Sequence, residues 1–165
     1  MTFKHISLAL LLTSLACTGC KKDEEPAPVP TASIITPGVG ITELKIGDSA
    51  QKAVDLYGTP FPSYGAVGGL YTHFLVYSSK GVVVYCVPTT EATFNAQMKI
   101  SSLKFSAPFD GKTDKGIGIG STKTELKAAY GEPTNSSAFF GDEYAIGFTV
   151  IYDDNDLKVE SIEVE

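Results

Sequence analysis

IGDSAQKAVDLYGTP, residues 46–60, and IGSTKTELKAAYGEP, residues 119–133, are two versions of one pattern at an offset of 73. Five of the fifteen positions are identical: the Ile-Gly start and the Tyr-Gly-x-Pro finish. Each version reads as a short capped helix. In the second, Thr122 can cap while Glu125, three residues on, reaches back, and Leu126, Ala129 and Tyr130 recur at helical spacing. In the first, Asp48 or Ser49 starts the turn, and Ala53, Leu56 and Tyr57 form the matching apolar stripe. Gly58 and Gly131 supply the residue that ends a helix, and Pro60 and Pro133 forbid its resumption. The matched place of Tyr57 and Tyr130 on that stripe assigns both to core packing.

After each helix the pattern turns to short apolar runs. In the second copy these are Ala138 to Phe140, Ile146 to Tyr152 and Leu157 to Val164; in the first they are Leu70 to Tyr77, Val82 to Val87 and Met98 to Phe105. The last run of each copy matches at an offset of 59, Lys99 to Phe105 with Lys158 to Val164, and in both the apolar positions jump by three and then by two. That shared break in phase predicts a bulge or a change of pairing near Ser101 and Glu160. The fold expected from these patterns is α+β: two tandem α-β-β-β repeats, residues 41–110 and 111–165, forming one antiparallel sheet with the helices packed on one face.

Ahead of this domain stands MTFKHISLALLLTSLACTGCKKDEEPAPVP, residues 1–30. A short basic start followed by an apolar run of about half the roughly 20 residues needed to span a membrane reads as a signal peptide, residues 1–19. The pair Cys17 and Cys20 ends an export signal and does not open a helix after a strand, so it is not read as a redox or metal motif. The stretch resembles a bacterial lipoprotein lipobox, with the small residues Thr18-Gly19 before Cys20. Cys17 stands where that pattern usually has an apolar residue, a place a small hydrophobic thiol can fill. The resemblance implies acylation of Cys20 and attachment to a membrane through lipid. Lys21 to Glu25 resembles the charged run that directs such proteins to the outer face of the outer membrane; the alternative is a solvated linker on a protein facing the periplasm. Prolines 26, 28, 30 and 37 make residues 20–40 a tether.

Removal of the signal leaves 12 Lys against 19 acidic residues, a formal charge of −7, with no Arg and no Trp. Such a surface lacks the guanidinium fork that grips phosphate and the basic stripe that follows nucleic acid, so no nucleic acid partner is expected. Cys86, inside Val82 to Val87, reads as a buried thiol and not a nucleophile. His73 is the one histidine after the signal, and neither a metal site nor a cofactor site is spaced around it. Asp153 to Asp156 could offer oxygens to calcium, although a hairpin turn accounts for it without one. Gly111-Lys112-Thr113 and Gly116 to Gly120 lack the spacing of a phosphate or dinucleotide loop.

A Ser/Thr-capped helix ending Tyr-Gly-x-Pro and followed by a β meander, twice, resembles the BamE-like (SmpA/OmlA) lipoproteins and the tandem-repeat β-lactamase inhibitor proteins of like topology. The resemblance covers residues 41–165 and implies a non-enzymatic module that binds another protein, often across the open face of its sheet. Neither an assembly role nor an enzyme target carries over, since the chain is duplicated and matches no inhibitor loop. Alternation on the strand Tyr71 to Tyr77 puts Thr72, Phe74 and Val76 on one face, expected under the helices. It puts Tyr71, His73, Leu75 and Tyr77 on the other. With Tyr85 from the next strand, Tyr71, His73 and Tyr77 are the candidate partner-binding residues. The expected function is a lipid-anchored, protein-binding or scaffolding module at the bacterial cell surface. The alternatives are a carbohydrate or small-ligand binder on the same sheet face, or a carboxylate-dependent hydrolase.

Overall fold

The computed structural model describes residues 32–154 and 157–165, so the signal, Cys20 and most of the tether lie outside the described residues, as do Asn155 and Asp156 of the acidic turn. The chain opens with β1 (Ile34–Thr36) and β2 (Gly40–Ile41), then α1 (Ala50–Tyr57), β3 (Phe61–Val67), β4 (Leu70–Tyr77), β5 (Val82–Cys86) and β6 (Ile100–Ser106). A second round follows: β7 (Lys112–Thr113), α2 (Lys123–Tyr130), β8 (Asn135–Ser137), β9 (Gly141–Tyr144), β10 (Phe148–Tyr152) and β11 (Val159–Val164). Eight strands make one antiparallel sheet in the order β3-β4-β5-β6-β11-β10-β9-β8, and β2-β1-β7 make a small second sheet.

This corrects the expected α+β class. The protein is mostly β, with four strands after each helix where three were expected, and its helices are only eight residues each. The strands that sequence reading missed are poor in alternation signal. β3 carries Pro62 and Gly65, β8 is Asn-Ser-Ser, and β9 is Gly-Asp-Glu-Tyr. Sheet structure also precedes residue 41, because β1 pairs antiparallel with β2 and parallel with β7, and Ile35 is buried.

The two Ile-Gly segments make the same backbone bonds. Gly47 N–H donates to the Ile100 carbonyl and Ile100 N–H to that of Asp48; Gly120, Val159 and Ser121 repeat the exchange. The Ile-Gly start of each repeat is thus the segment sewn to that repeat's last strand. Both last strands are bulged at the positions where the phase breaks. Tyr85 faces Ser102 while Cys86 faces Ile100, which leaves Ser101 over, and Ile151 faces Ser161 while Tyr152 faces Val159, which leaves Glu160 over.

The two helix starts differ. Thr122 Oγ1 accepts from Glu125 N–H at 3.2 Å and Thr122 N–H donates to Glu125 Oε2 at 2.7 Å, a reciprocal capping box. Ser49 sits at the α1 cap with no side-chain bond, and the Asp48 carboxylate instead accepts from Lys45 N–H and from the Lys52 ammonium. Gly58 and Gly131 close the helices at φ 85° with ψ −162° and φ 83° with ψ −162°, a region essentially reserved for glycine.

Ala50 and Ala53 of α1 and Leu126 of α2 reach the core, joined by Ile35, Ile41, Leu44 and Ile117 from the small sheet and its turns. They meet the inward row of the large sheet, in which Leu75, Val84, Leu103, Phe105, Phe148, Val150, Ile162 and Val164 are at most 1 % exposed. The Tyr57 ring packs 5.1 Å from that of Tyr77, and Tyr130 packs 5.2 Å from Phe148, so both helices touch the same face.

Candidate functional site

The covered face is the one that carries Tyr71, His73, Leu75 and Tyr77, which reverses the expected assignment of faces. His73 is 2 % exposed, and Tyr77 is 5 % exposed beneath Tyr57. Burial, with the Cys86 thiol close by, pushes the Tyr77 phenol up to about 12. Tyr85 lies on the opposite, open face, where its ring is 5.7 Å from that of Phe74. Burial and then the Glu163 carboxylate raise the Tyr85 phenol. The four residues therefore do not form one surface. Tyr71 and His73 stay together, Tyr77 is core, and Tyr85 belongs to the other side.

The alternation is plain in the sequence, but its two sets are about equally apolar, and composition does not say which one the helices cover. Tyrosine buries readily when its ring is packed. The distinguishing signal lay two strands away. Lys104 and Glu163 mark the open face of β6 and β11, and the register carries that side from Lys104 through Val83 to Val76. The open face grades from Phe61 and Val76 at one edge, through Lys104 and Glu163, to Glu143 and Asn135 at the other. At its centre Ser102 Oγ donates to Glu163 Oε1 at 2.8 Å.

A second element, β3, escaped the sequence reading. It is an edge strand, seven residues long, and it exposes Phe61, Tyr64 and Val67, the last at 84 %. No charged residue occurs from 56 to 79. The two-residue turn Gly68-Gly69, φ 60° and 81°, joins β3 to β4 with Val67 opposite Leu70, the positive-φ geometry that suits a tight hairpin. The edge at the opposite end of the sheet, β8, has three residues and is polar.

Along the covered side of β3 runs a cleft of about 250 Å³, lined by Pro62, Tyr64, His73 and Phe94. The His73 ring lies 5.9 Å from that of Tyr64, 6.5 Å from Tyr71 and 6.2 Å from Phe94. Its Nε2 is 2.8 Å from the Glu91 carbonyl, and a carbonyl can only accept, so Nε2 carries the proton and donates. The arrangement is an aromatic wall with one fixed imidazole.

Cys86 is a buried free thiol whose ionisation burial pushes up to about 11, so it is not a nucleophile at neutral pH. Among the described residues no three His, Cys, Asp or Glu side chains are placed to hold a metal ion. Among them, too, no helix is long and apolar enough to cross a membrane. Comparison of the chain with protein-family models, with curated proteins and with solved structures finds no match.

Proposed function

We propose that this chain is a non-enzymatic, protein-binding module, anchored to the bacterial outer membrane by lipid on Cys20 and displayed at the cell surface, which takes its partner at the β3 edge. The observation that carries the reading is β3 itself. A long exposed edge strand presents unpaired backbone donors and acceptors, a hazard that proteins ordinarily blunt with charge or shortness. Here the charge is missing over residues 56–79, and the other end of the same sheet shows the blunted alternative in β8. Strand addition to such an edge gains main-chain hydrogen bonds, and flanking side-chain pockets then select the partner. Phe61 and Val67 are the exposed apolar contacts, and the Tyr64–His73–Phe94 cleft is the adjoining pocket. Pro62 forfeits one donor, which limits the edge to a short paired stretch.

A photo-crosslinking residue at Val67 in the full chain, expressed in its own host, tests the reading. One discrete adduct is expected at position 67 and none at position 143, at the far end of the open face. Adding Phe61→Glu should remove it, while stability changes by less than about 0.5 kcal/mol because Phe61 is a surface residue. Equal labelling at both positions, or an adduct indifferent to Phe61→Glu, would refute the proposal.

A further inference from the structure

The two repeats can be superposed by register alone, and the comparison isolates a set of positions at which they differ in kind. Ala50 and Lys123 both follow the cap of their helix. Leu75 faces Val84, which faces Leu103; Asp142 faces Val150, which faces Ile162. Cys86 and Tyr152 each stand just past the bulge. Pro62 pairs with Leu75 as Ser136 pairs with Asp142. The tyrosines beside them are kept, Tyr57 and Tyr77 corresponding to Tyr130 and Tyr144.

In the first repeat Ala50, Leu75 and Cys86 are completely buried and apolar. In the second, Lys123 Nζ lies 2.8 Å from Asp142 Oδ2, Ser136 Oγ donates to Asp142 Oδ1 at 2.7 Å, and the Lys123 ammonium stands 4.7 Å over the Tyr152 ring. Asp142 is only 3 % exposed. A buried ion pair rarely stabilises better than an apolar packing of the same volume, and the first repeat demonstrates that this fold accepts the apolar packing. The polar set is therefore not a requirement of the fold.

A cleft of about 410 Å³ opens onto this set. Lys123, Asp142 and Tyr152 line it together with Phe139, which is 88 % exposed, the carboxylates of Asp154 and Glu160, and apolar side chains that include Leu157. The signs of charge select the ligand. An anion would meet the carboxylates of Asp154 and Glu160, and a metal ion or organic cation would meet the Lys123 ammonium. An apolar molecule would strip water from the Lys123 ammonium, whose side chain is 33 % exposed, without replacing it. A neutral polyhydroxylated molecule meets each group correctly. Its hydroxyls donate to the carboxylates and accept from Lys123, whose ammonium has three protons and uses one on Asp142, while its C–H face covers the Phe139 ring.

We infer that the second-repeat cleft is a binding site for a neutral saccharide, with Lys123, held in place by the buried Asp142, and the carboxylates of Asp154 and Glu160 reading its hydroxyls and Phe139 stacking on its ring. The site is separate from the β3 edge and stands or falls independently of the partner proposed there.

The test uses the full chain, solubilised in a detergent without a sugar headgroup, and calorimetric titration with malto-, cello-, xylo-, laminari- and mannohexaose. At least one should saturate with a Kd of about 1 mM or tighter. Phe139→Ala should weaken it by about tenfold or more, as should the triple change Lys123→Ala, Asp142→Leu, Tyr152→Cys, which rebuilds the first repeat's packing in the second. The wild-type isotherm should survive Phe61→Glu unchanged. If none of the five saturates, or if binding survives Phe139→Ala, the inference is overturned; the same holds if a cooperatively melting triple variant still binds. Should the triple variant fail to fold, Phe139→Ala decides alone.

Discussion

Asp142 shows how a single buried carboxylate can be held ionised. Burial works to raise its pKa, but the Lys123 ammonium and the hydroxyls of Ser136 and Tyr152 outweigh burial and hold it below the ordinary carboxylate range. A group with a depressed folded pKa contributes stability that is complete above its unfolded pKa of about 3.9 and lost as pH falls through the folded value. Asp142→Asn should therefore destabilise by about 1–3 kcal/mol at pH 7, the range for leaving a buried hydrogen-bonding group short of its partner. The gap between the two proteins should narrow as pH falls below about 4, which urea titrations across pH would reveal. A gap constant from pH 7 to pH 2 would mean that the carboxylate charge contributes nothing. At this scale the sequence was partly readable. Cys86 in a run of valines announced its burial, whereas the pairing of Lys123 with Asp142 joins residues from separate elements and leaves no mark on either segment alone.

Between the two helices the repeat provides its own control experiment. Both are eight residues long and end in the same Tyr-Gly, but only α2 has a capping box. Thr122→Ala should cost about 1 kcal/mol, and Ser49→Ala well under half of that, since the Ser49 hydroxyl makes no cap bond. Equal losses in guanidinium denaturation would show that the hydroxyls act through the unfolded chain and not through the cap. Helix starts, helix stops and both bulges were legible because each rests on neighbours in sequence: a Thr with a Glu three residues on, a Gly before a Pro, a break in alternation at Ser101 and at Glu160. The edge strands were not. Phe61–Val67 owes its strand state to the partner β4, and Asn135–Ser137 owes its own to β9, so what defines them is a pairing across a turn and not a local preference.

For the molecule as a whole, the function proposed above assigns membrane attachment to the N-terminal segment and partner binding to the sheet. If lipid on Cys20 is the anchor, Cys20→Ala should move the protein from the membrane to the soluble fraction on cell lysis, leaving the β3 edge and the second-repeat cleft intact. Persistence in the membrane fraction would assign the attachment to some other part of the chain. The duplication was plain in two fifteen-residue stretches, yet those stretches say nothing of how the halves join, because the seam is a pairing of β6 with β11, elements far apart in sequence. That seam also sets a timetable. The strand that β6 needs on its free side follows all the other described strands in sequence, so until it pairs the first repeat has an open border at Ile100–Ser106. An incompletely folded chain exposes that border until Val159–Val164 pairs with it. A truncation that removes β11 would therefore split the sheet at its middle and return both halves to this unshielded state.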